Sequence, residues 1–574
     1  MRGDLGTAPA LVNQSRASQR ERHSREAVFA ERHRPDDETI PLPGHLAWQG
    51  HRSPPEGAAE GTLTVYRSLS WAPAGGRTIP LTILLALALT LWFGLTAIAT
   101  PFDHDESQYI AGAYFSGHMT LFRDFLYLQP PLHAWTFAPL AWAFPSHMVI
   151  AMRLATAVLA LSVLALLMAA QRIAGVSRDS AALATLLMAA TAAFQFTASV
   201  VRNDMLPTMF STMGMAAALL ALRHCRPAHW IASGVAFGLA ISAKLSFAPL
   251  AIAVGLFALT AGGRRGMRPA CLLALGGCAG LMPMAIAWSL MPGTFLYGVV
   301  TFAATSPFAW YAANGMGGEL NLAEKVADLL KYLATGPALV ALLLLVGNWW
   351  ATRHRVRSPG RRLAIWMVAG GLAGAAIPTP THVQYLAPLL PPLALALGYF
   401  LDDARQWRFA ARESVLGLLA LAAIPGLYES SRDLMAMARN GSPMLETTKA
   451  AHWAGDMVRN VPGGPVATLS PQQIIDSGLS PDPRLAAGPF VYRTGASLTE
   501  AQARALKILT PATLPDLDRN PPAAILVGYE GGTRKMPLRP DDGLIAYARA
   551  RAYRMVSMPD GVGPLYLRAT RLKS

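Results

Sequence analysis

Runs of about twenty apolar residues recur along the chain and constrain its fold more than any other feature. The first begins at about residue 80, and the last ends at about residue 428. A helix needs about 20 apolar residues to cross the hydrocarbon core of a bilayer. Only 14% of the residues are charged, whereas a soluble globular chain has about a quarter. The sequence therefore predicts a polytopic α-helical membrane protein embedded in a lipid bilayer.

Most of these runs have the length of one membrane crossing. The pair at 229–243 and 246–261 is shorter, which fits two half-length helices or one long bent element. The predicted spans, about eleven in all, lie at residues 80–99, 148–171, 180–199, 205–222, 229–243, 246–261, 269–290, 328–350, 362–377, 384–400 and 412–428.

Lys and Arg are distributed unequally between the loops on the two sides of these spans. One set of loops holds 15 of them, at residues 172–179, 223–229, 262–268, 351–362 and 401–412. The opposite loops up to residue 383 hold four, namely Arg123, Arg202, Lys244 and Lys325. Because cytoplasmic loops are enriched in Lys and Arg, we expect the N-terminus in the cytoplasm and the C-terminus outside it, in a cytoplasmic (inner) membrane. This asymmetry accounts for the net charge of +15 without a nucleic-acid partner.

The two ends of the chain differ from the apolar middle. Residues 1–78 are polar and lack a sustained apolar period, which predicts a disordered cytoplasmic segment. Residues 79–428 form the predicted transmembrane domain, with a long external loop at 101–147. Residues 429–574 contain the short apolar strands "PVATLS", "AAILVGY" and "PLYLR" and helices such as "DDGLIAYARARAY", whose first Asp suits an N-cap. Alternating strands and helices predict a small extracytoplasmic α/β domain.

Polar residues recur where the chain should be apolar, and all of them fall on the predicted external side. Asp105 and Glu106 follow the first span, and Lys244 separates two apolar runs. Ionisable residues near the apolar region of a membrane are costly and usually functional. Four separate segments on one face therefore predict a shared cavity. The other polar residues of these segments are Arg202, Asp204, His382, Gln384 and Tyr385.

Such a cavity would place carboxylates beside cations. A carboxylate can take a proton from an acceptor hydroxyl or amine, and Lys or Arg can hold a phosphate leaving group. This combination suits group transfer from a lipid phosphate. Each group also has a structural alternative: Asp105 and Glu106 as helix caps, Lys244 snorkelling to the interface, Arg202 with Asp204 as an ion pair, and His382 as a packed polar side chain.

Five segments in order resemble motifs of the membrane glycosyltransferases of the C superfamily. The similarity, over about residues 80–400, is to the protein O-mannosyltransferases and the bacterial lipid A aminoarabinose transferases. "DHDESQY" resembles the Asp-Glu motif of the first external loop, and "QPPLHAW" resembles the Pro-Pro-Leu element. The remaining segments are "RNDMLPTMF", "GLAISAKLSFAPL" and "HVQYLAPLLPPLAL".

The resemblance implies a glycosyltransferase that takes a sugar from a polyprenyl-phosphate carrier at the external face. It implies Asp105 as the general base, Glu106 as its partner and Lys244 as a contact of the donor phosphate. Gln129 stands where the aminoarabinose branch has a Lys directly before Pro-Pro-Leu. Loss of this charge argues against aminoarabinose as the transferred sugar.

Two other functions remain compatible with the pattern: a transporter or lipid flippase, and a non-catalytic scaffold. Transporters often show inverted repeats, and no clear repeat occurs in the sequence. No cofactor is predicted. A divalent metal is compatible with His104, His118 and His133 near Asp103, but their spacing matches no ligand motif, and no metal ligands are assigned.

The loop asymmetry makes the orientation testable by cysteine labelling in a background without native cysteines. In intact cells, a membrane-impermeant reagent should label Glu500→Cys and leave Arg357→Cys unlabelled until the membrane is permeabilised, because the positive-inside rule places residue 357 in the cytoplasm. Labelling of residue 357 together with protection of residue 500 would overturn the orientation.

Overall fold

The computed structural model describes residues 78–261, 267–354, 357–530 and 539–569. The described part is mostly helical and contains one small β-sheet. The predicted disorder of residues 1–78 concerns a segment that lies, except for Thr78, outside the described residues.

Nineteen α-helices occupy the apolar part of the described chain. Their bounds are α1 Thr78–Ala99, α2 Glu106–Ser116, α3 Leu132–Phe137, α4 Pro139–Ala143, α5 Met148–Ile173, α6 Arg178–Ala189, α7 Ala192–Ser199, α8 Met205–His224, α9 Pro227–Ala243, α10 Ala248–Ala261, α11 Met267–Gly280, α12 Met282–Leu290, α13 Pro292–Leu296, α14 Phe302–Ala313, α15 Leu322–Ala334, α16 Ala338–Ala351, α17 Pro359–Ala376, α18 Leu390–Ala404 and α19 Phe409–Asn440.

Within the described residues, four helices are long and apolar enough to cross a membrane by themselves: α1, α5, α8 and α19. Three bent helix pairs pass the same test when each pair is taken together, which raises the number to seven. The bends are 68° between α6 and α7, 42° between α11 and α12, and 96° between α15 and α16. Each predicted span overlaps one of these four helices, a bent pair, or one of the helices α9, α10, α17 and α18. The count of eleven crossings stays a prediction.

The segment predicted as a single span at 328–350 is divided between two helices that meet at 96°. The break follows Thr335, where Gly336 has a φ of 134° and Pro337 precedes α16. Glycine adopts this positive φ without a steric cost, and proline suits the start of a helix. An apolar run across these two residues therefore does not mean a continuous helix.

The predicted domain boundary at residue 429 lies inside a helix, because α19 continues to Asn440. Beyond it lie the helices α20 Pro443–Val458, α21 Pro489–Thr494, α22 Glu500–Ala505 and α23 Asp542–Ala550. The strands are β1 Ala467–Thr468, β2 Ala524–Leu526, β3 Arg554–Ser557 and β4 Pro564–Leu567.

The four strands form one sheet in the order β1-β2-β4-β3. β1 pairs with β2 in parallel, with Ala467 opposite Ile525, and the other two pairs are antiparallel. The strands β1, β2 and β4 lie within predicted strands. β3 was missed because it is an edge strand with mostly exposed residues, which lacks the apolar alternation of a half-buried strand.

Asp541 lies at the start of α23, as the sequence indicates, but its carboxylate does not cap that helix. Its Oδ2 accepts hydrogen bonds from the backbone N–H groups of Gly528 at 2.7 Å and Glu530 at 3.0 Å. The carboxylate therefore fixes the turn after β2, and this turn places Glu530 against His104 of the loop at residues 101–147.

Close packing of α9 on α11 fixes the position of the residue that follows α9. A Cβ atom on Gly234 would lie 2.0 Å from the carbonyl oxygen of Leu273, and one on Gly276 would lie 2.1 Å from that of Ile231. Small residues four apart allow helix backbones in a membrane to approach this closely. Ser242 adds a hydrogen bond of 2.9 Å to the carbonyl oxygen of Gly280. This contact holds the C-terminal end of α9, immediately before Lys244.

The C-terminal segment packs on the loop at residues 101–147. Leu126 and Leu128 of the loop share a buried apolar cluster with Phe490 and Val491. The Ser442 hydroxyl donates to the carbonyl oxygen of Ile98 at 2.6 Å, at the end of α1. The C-terminal segment is therefore in direct contact with the loop that contains the predicted catalytic residues.

Candidate active site

A short turn after α1 places three acidic residues, Asp103, Asp105 and Glu106, close together at the start of α2. The backbone N–H of Asp105 donates to the Asp103 carboxylate at 3.2 Å, and the N–H of Asp103 donates to the Glu106 carboxylate at 2.9 Å. Asp105 occupies the N-cap position of α2, but its side chain forms no capping hydrogen bond. The capping alternative for Asp105 therefore does not describe this turn.

Glu106 and Arg153 form an ion pair whose side chains are both completely buried. Arg153 Nε donates to Glu106 Oε1 at 2.9 Å, and a second bond joins Arg153 Nη2 to Glu106 Oε2. Glu106 also accepts from the backbone N–H of Val201 at 2.7 Å. The Arg153 guanidinium further donates to the carbonyl oxygens of Ala97, Thr100 and Pro101.

This ion pair and its hydrogen bonds connect four parts of the chain: the end of α1, the start of α2, the N-terminal part of α5 and the segment after α7. Since neither charged group has any exposed surface, no substrate reaches the Glu106 carboxylate in this conformation.

Arg153 lies inside a predicted span and is absent from the site residues that the sequence predicts. A single Arg in an apolar helix was the available signal, because such residues are rare and almost always paired.

Arg202 is the centre of a second, larger group of charges. Its guanidinium contacts three carboxylates: Asp105 at 2.6 Å, Asp204 at 3.4 Å, and Asp103. The rings of Tyr109 and Phe196 lie 5.7 and 5.6 Å from the guanidinium carbon. Arg202 thereby connects the first loop with the start of α8.

Lys244 extends the charge group from the other side of Asp204. Its Nζ lies 2.5 Å from Asp204 Oδ1 and 5.3 Å from the centroid of the Tyr385 ring. Asp204 therefore bridges the two cations Arg202 and Lys244. The four ionic side chains Asp105, Arg202, Asp204 and Lys244 form one continuous series of contacts.

The predicted late segment contributes unequally to this group. The rings of His382 and Tyr385 lie 5.6 Å apart, and His382 is within electrostatic reach of Asp105. Gln384 is buried in the short turn Val383–Leu386. Within the described residues, no hydrogen bond joins its side chain to the charged group.

Gln129 is linked to this group through Asn203, which lies between Arg202 and Asp204 in the sequence. Asn203 Nδ2 donates to Gln129 Oε1 at 2.8 Å and to the carbonyl oxygen of Ala243 at 3.2 Å. Ala243 directly precedes Lys244. Gln129 therefore lies next to the Lys244 side of the site and brings a neutral amide there.

Exposure separates the carboxylates into two kinds. The Asp105 and Asp103 side chains are 27% and 23% exposed, whereas Asp204 is 1% exposed. Only the first two can meet a substrate without rearrangement. Among the described contacts, Asp105 Oδ2 binds Arg202 and Oδ1 has no hydrogen-bond donor. The Asp105 carboxylate thus keeps one oxygen available.

The Asp105 carboxyl has a pKa below its ordinary value. Burial alone would raise the pKa, but the charges of Arg202 and His104 and the contact with Arg202 outweigh it. Asp105 is consequently ionised at neutral pH, in the form that accepts a proton. The attraction of Arg202 also makes it a weaker base than an isolated carboxylate.

The three histidines considered for a metal site face different partners. His104 Nδ1 lies 3.2 Å from the Glu530 carboxylate, and the His118 ring packs on Tyr114. His133 is completely buried between Tyr109 and Phe137. In the part of the chain that the structure describes, no three His, Cys, Asp or Glu side chains are grouped to hold a metal ion. That no cofactor is needed stays a prediction.

His133 has a second property of interest, since neither ring nitrogen has a hydrogen-bond partner among the described residues. Burial and the charge of Lys244 lower its pKa to about 3. His133 is therefore neutral and adds no charge to the site.

Comparison with known proteins gives a partial match in sequence and an extensive match in fold. The sequence profile of the family described as Dolichyl-phosphate-mannose-protein mannosyltransferase matches residues 128–289. This range contains Gln129, Arg202, Asp204 and Lys244. No curated protein sequence matches the chain.

Among solved structures, the fold is similar to that of ArnT from Cupriavidus metallidurans bound to undecaprenyl phosphate. The TM-score is 0.56 at 16% identity, over 87% of this chain and 100% of that chain. The apo state of the same protein gives 0.55 at 17% identity, over 85% and 98%. An oligosaccharyltransferase from Archaeoglobus fulgidus gives 0.44 at 12% identity, over 78% and 70%.

The profile covers part of the chain, and the ArnT structures cover most of it. The predicted resemblance is therefore confirmed: in sequence over residues 128–289 and in fold over most of its length, the chain resembles the membrane glycosyltransferases of the C superfamily that include the protein mannosyltransferases and ArnT.

Proposed function

We propose that this protein is a membrane glycosyltransferase that moves one sugar from a polyprenyl-phosphate carrier to an acceptor at the outer face of the cytoplasmic membrane. The observation that carries the proposal is the series of contacts Asp105–Arg202–Asp204–Lys244. It joins an accessible carboxylate to a cation in one site, as transfer from a lipid phosphate requires. ArnT, which shares the fold, binds undecaprenyl phosphate, and we extend a polyprenyl-phosphate donor to this chain.

The proposed reaction is a direct displacement at the anomeric carbon of the sugar. The acceptor hydroxyl or amine attacks this carbon, and the bond between the carbon and the phosphate oxygen breaks. Asp105 Oδ1 takes the acceptor proton, and the electron pair of the broken bond leaves with the polyprenyl phosphate. Attack opposite the leaving group inverts the anomeric configuration, so the products are the glycosylated acceptor and the free lipid phosphate.

Lys244 and Arg202 have different positions in this reaction. Lys244 lies beside the neutral Gln129 and Tyr385, where it can hold the donor phosphate and stabilise its growing charge. Arg202 lies between Asp105 and Asp204, where it orients the base and keeps it ionised. Both cations already face carboxylates, so phosphate binding has to redistribute these contacts.

Glu106 acts in this proposal as a positioning residue, in contrast to the partner role implied by the family motif. It has no exposed surface and accepts hydrogen bonds from Arg153 and from two backbone N–H groups. Its carboxylate holds the turn that presents Asp105. The loss of Glu106 would therefore act on the geometry of the turn before it acts on chemistry.

Replacement of the base provides the first test of the function. In purified protein with a synthetic polyprenyl-phosphate sugar, Asp105→Asn should lower kcat about 10²- to 10⁴-fold, because a general base is lost from the transition state, with the donor KM nearly unchanged. Asp103→Asn is a matched control, since Asp103 also pairs with Arg202 and is similarly exposed. Its kcat should fall much less.

Equal loss in the Asp103 and Asp105 variants, or full activity of Asp105→Asn, would contradict the assignment of the base. Transport of the lipid across liposomes without any glycosylated product would favour the alternative of a flippase.

Lys244→Ala should give a different kinetic result from Asp105→Asn. Lys244 would contact charge that is already present on the ground-state donor, so the donor KM should rise. The kcat should also fall, because the leaving-group charge grows in the transition state. Lys325→Ala is the matched control, since Lys325 binds Ile377 and Thr379 outside the charged group. An unchanged donor KM in Lys244→Ala would exclude the proposed phosphate contact.

The positioning role of Glu106 can be separated from a chemical role by a double-mutant cycle. Glu106→Gln should lower the free energy of unfolding by about 3–5 kcal/mol, because it leaves the buried Arg153 charge unpaired. The double variant Glu106→Gln/Arg153→Met should recover part of this stability, and turnover should recover with it. Recovered stability in the double variant without any recovered turnover would show that Glu106 takes part in the chemistry.

A further inference from the structure

Arg493 is a cation of the C-terminal segment that lies at the edge of the charged site. It is located near the end of α21 and its side chain is half-buried. Its Nη1 is 3.4 Å from His104 Nε2, and His104 directly precedes Asp105. The charge of Asp105 acts on it, as does that of Glu530. Arg493 therefore extends the site on the side of Asp105.

Aromatic rings hold the Arg493 guanidinium in place. Its central carbon is 4.5 Å from the ring centroid of Trp310 and 5.0 Å from that of Phe490. Both rings are buried. Stacking on aromatic faces is a typical environment for Arg, and it leaves the hydrogen-bonding edge of the guanidinium free.

The pairing of Arg493 differs from that of the other cations at the site. Arg153, Arg202 and Lys244 each lie within 4.0 Å of a carboxylate. In the described ranges, no carboxylate lies that close to Arg493, and its Nε is buried without a hydrogen-bond partner. A half-buried guanidinium without an anion is unfavourable unless a ligand supplies one.

The balance of charge at the site points to the chemistry of that ligand. Asp103, Asp105 and Asp204 carry three negative charges, and Arg202 and Lys244, which both already face them, carry two positive charges. A bound phosphate would add further negative charge to this group. Among the described residues, Arg493 is the guanidinium near Asp105 that faces no carboxylate, and its planar fork matches phosphate oxygens.

We propose that Arg493 is a substrate-binding residue through which the C-terminal segment completes the active site by holding a phosphate group. The inference rests on the proposed function and goes further, because it assigns part of substrate recognition to a segment outside the apolar bundle. The phosphate belongs either to the lipid carrier or to a second, acceptor-side anion. The contact of Arg493 with His104, which directly precedes the proposed base Asp105, favours the acceptor side.

The contact between His104 and Glu530 supports this arrangement. Glu530 is nearly buried, accepts from the Ser470 hydroxyl at 3.1 Å and contacts His104 Nδ1. His104 Nε2 therefore faces Arg493. His104, the residue next to Asp105, thus contacts the C-terminal segment through both ring nitrogens.

The test compares binding of two phosphate probes to the full-length protein in detergent. Binding of undecaprenyl phosphate measures the affinity of the site for the lipid carrier. Binding of inorganic phosphate, added when undecaprenyl phosphate is saturating, measures the affinity of a second anion site on the acceptor side. Arg493→Gln should weaken binding of one probe about tenfold or more, the loss expected for a charge-assisted hydrogen bond. Arg493→Lys should lose less, because it keeps the charge without the fork.

Arg504→Gln is the matched control, since Arg504 is an exposed arginine of the same segment that pairs with Glu500 and Asp516. It should bind both probes as the unmodified protein does. Because Arg493 has no carboxylate partner among the described residues, Arg493→Gln should keep the same thermal unfolding temperature, which separates lost binding from lost folding.

The outcomes distinguish the two phosphate sources. Weaker binding of inorganic phosphate alone places the group on the acceptor side, and weaker binding of undecaprenyl phosphate places it on the carrier. Unchanged binding of both probes in folded Arg493→Gln would overturn the proposal. Neither binding measurement requires turnover. Failure of this proposal can therefore be distinguished from failure of the proposed sugar transfer.

Discussion

Burial of the Arg202 guanidinium beside the start of α8 governs the arrangement of the site. A charge removed from water is tolerated when it is paired and hydrogen-bonded. The partners of Arg202 come from two places, the turn after α1 and the start of α8. Removal of one partner from a buried ion pair typically costs about 3–5 kcal/mol. The first loop is therefore held against the bundle by the same contacts that orient Asp105.

A second ion pair, completely buried, stabilises the turn that contains Asp105. Glu106 and Arg153 fix the backbone on both sides of Asp105 without any contact with solvent. The two adjacent acidic residues thus have opposite environments: Asp105 keeps a free oxygen at the surface, and Glu106 is enclosed. Adjacent residues on one motif can therefore differ in function because burial, and not residue type, determines which carboxylate meets a substrate.

The sequence predicted the positions of the apolar helices, the acidic turn and the polar residues between helices, because these depend on local composition and on the cost of charges in a membrane. It did not predict the 96° bend between α15 and α16, since hydropathy does not report backbone direction. Arg153 was missed because a single residue has little weight in an apolar window. Arg493 was missed because its neighbours His104 and Trp310 are distant in sequence, and only the fold brings them together.

The packing of the C-terminal segment on the first loop extends the site beyond the bundle. An apolar cluster and the contacts of Glu530 and Arg493 join the two regions. A glycosyltransferase with this arrangement would hold the donor with residues of the bundle and would complete substrate recognition with the C-terminal segment. The base would lie between the two.

A structure with a non-reactive polyprenyl-phosphonate sugar would show which groups lie on either side of the anomeric carbon. With Asp105 as the base and Lys244 as the phosphate contact, this assignment requires phosphonate oxygens within about 4 Å of Lys244 Nζ, the usual limit for an ion pair, and the anomeric carbon facing Asp105 Oδ1. A phosphonate bound away from Lys244, or an anomeric carbon directed away from Asp105, would contradict it.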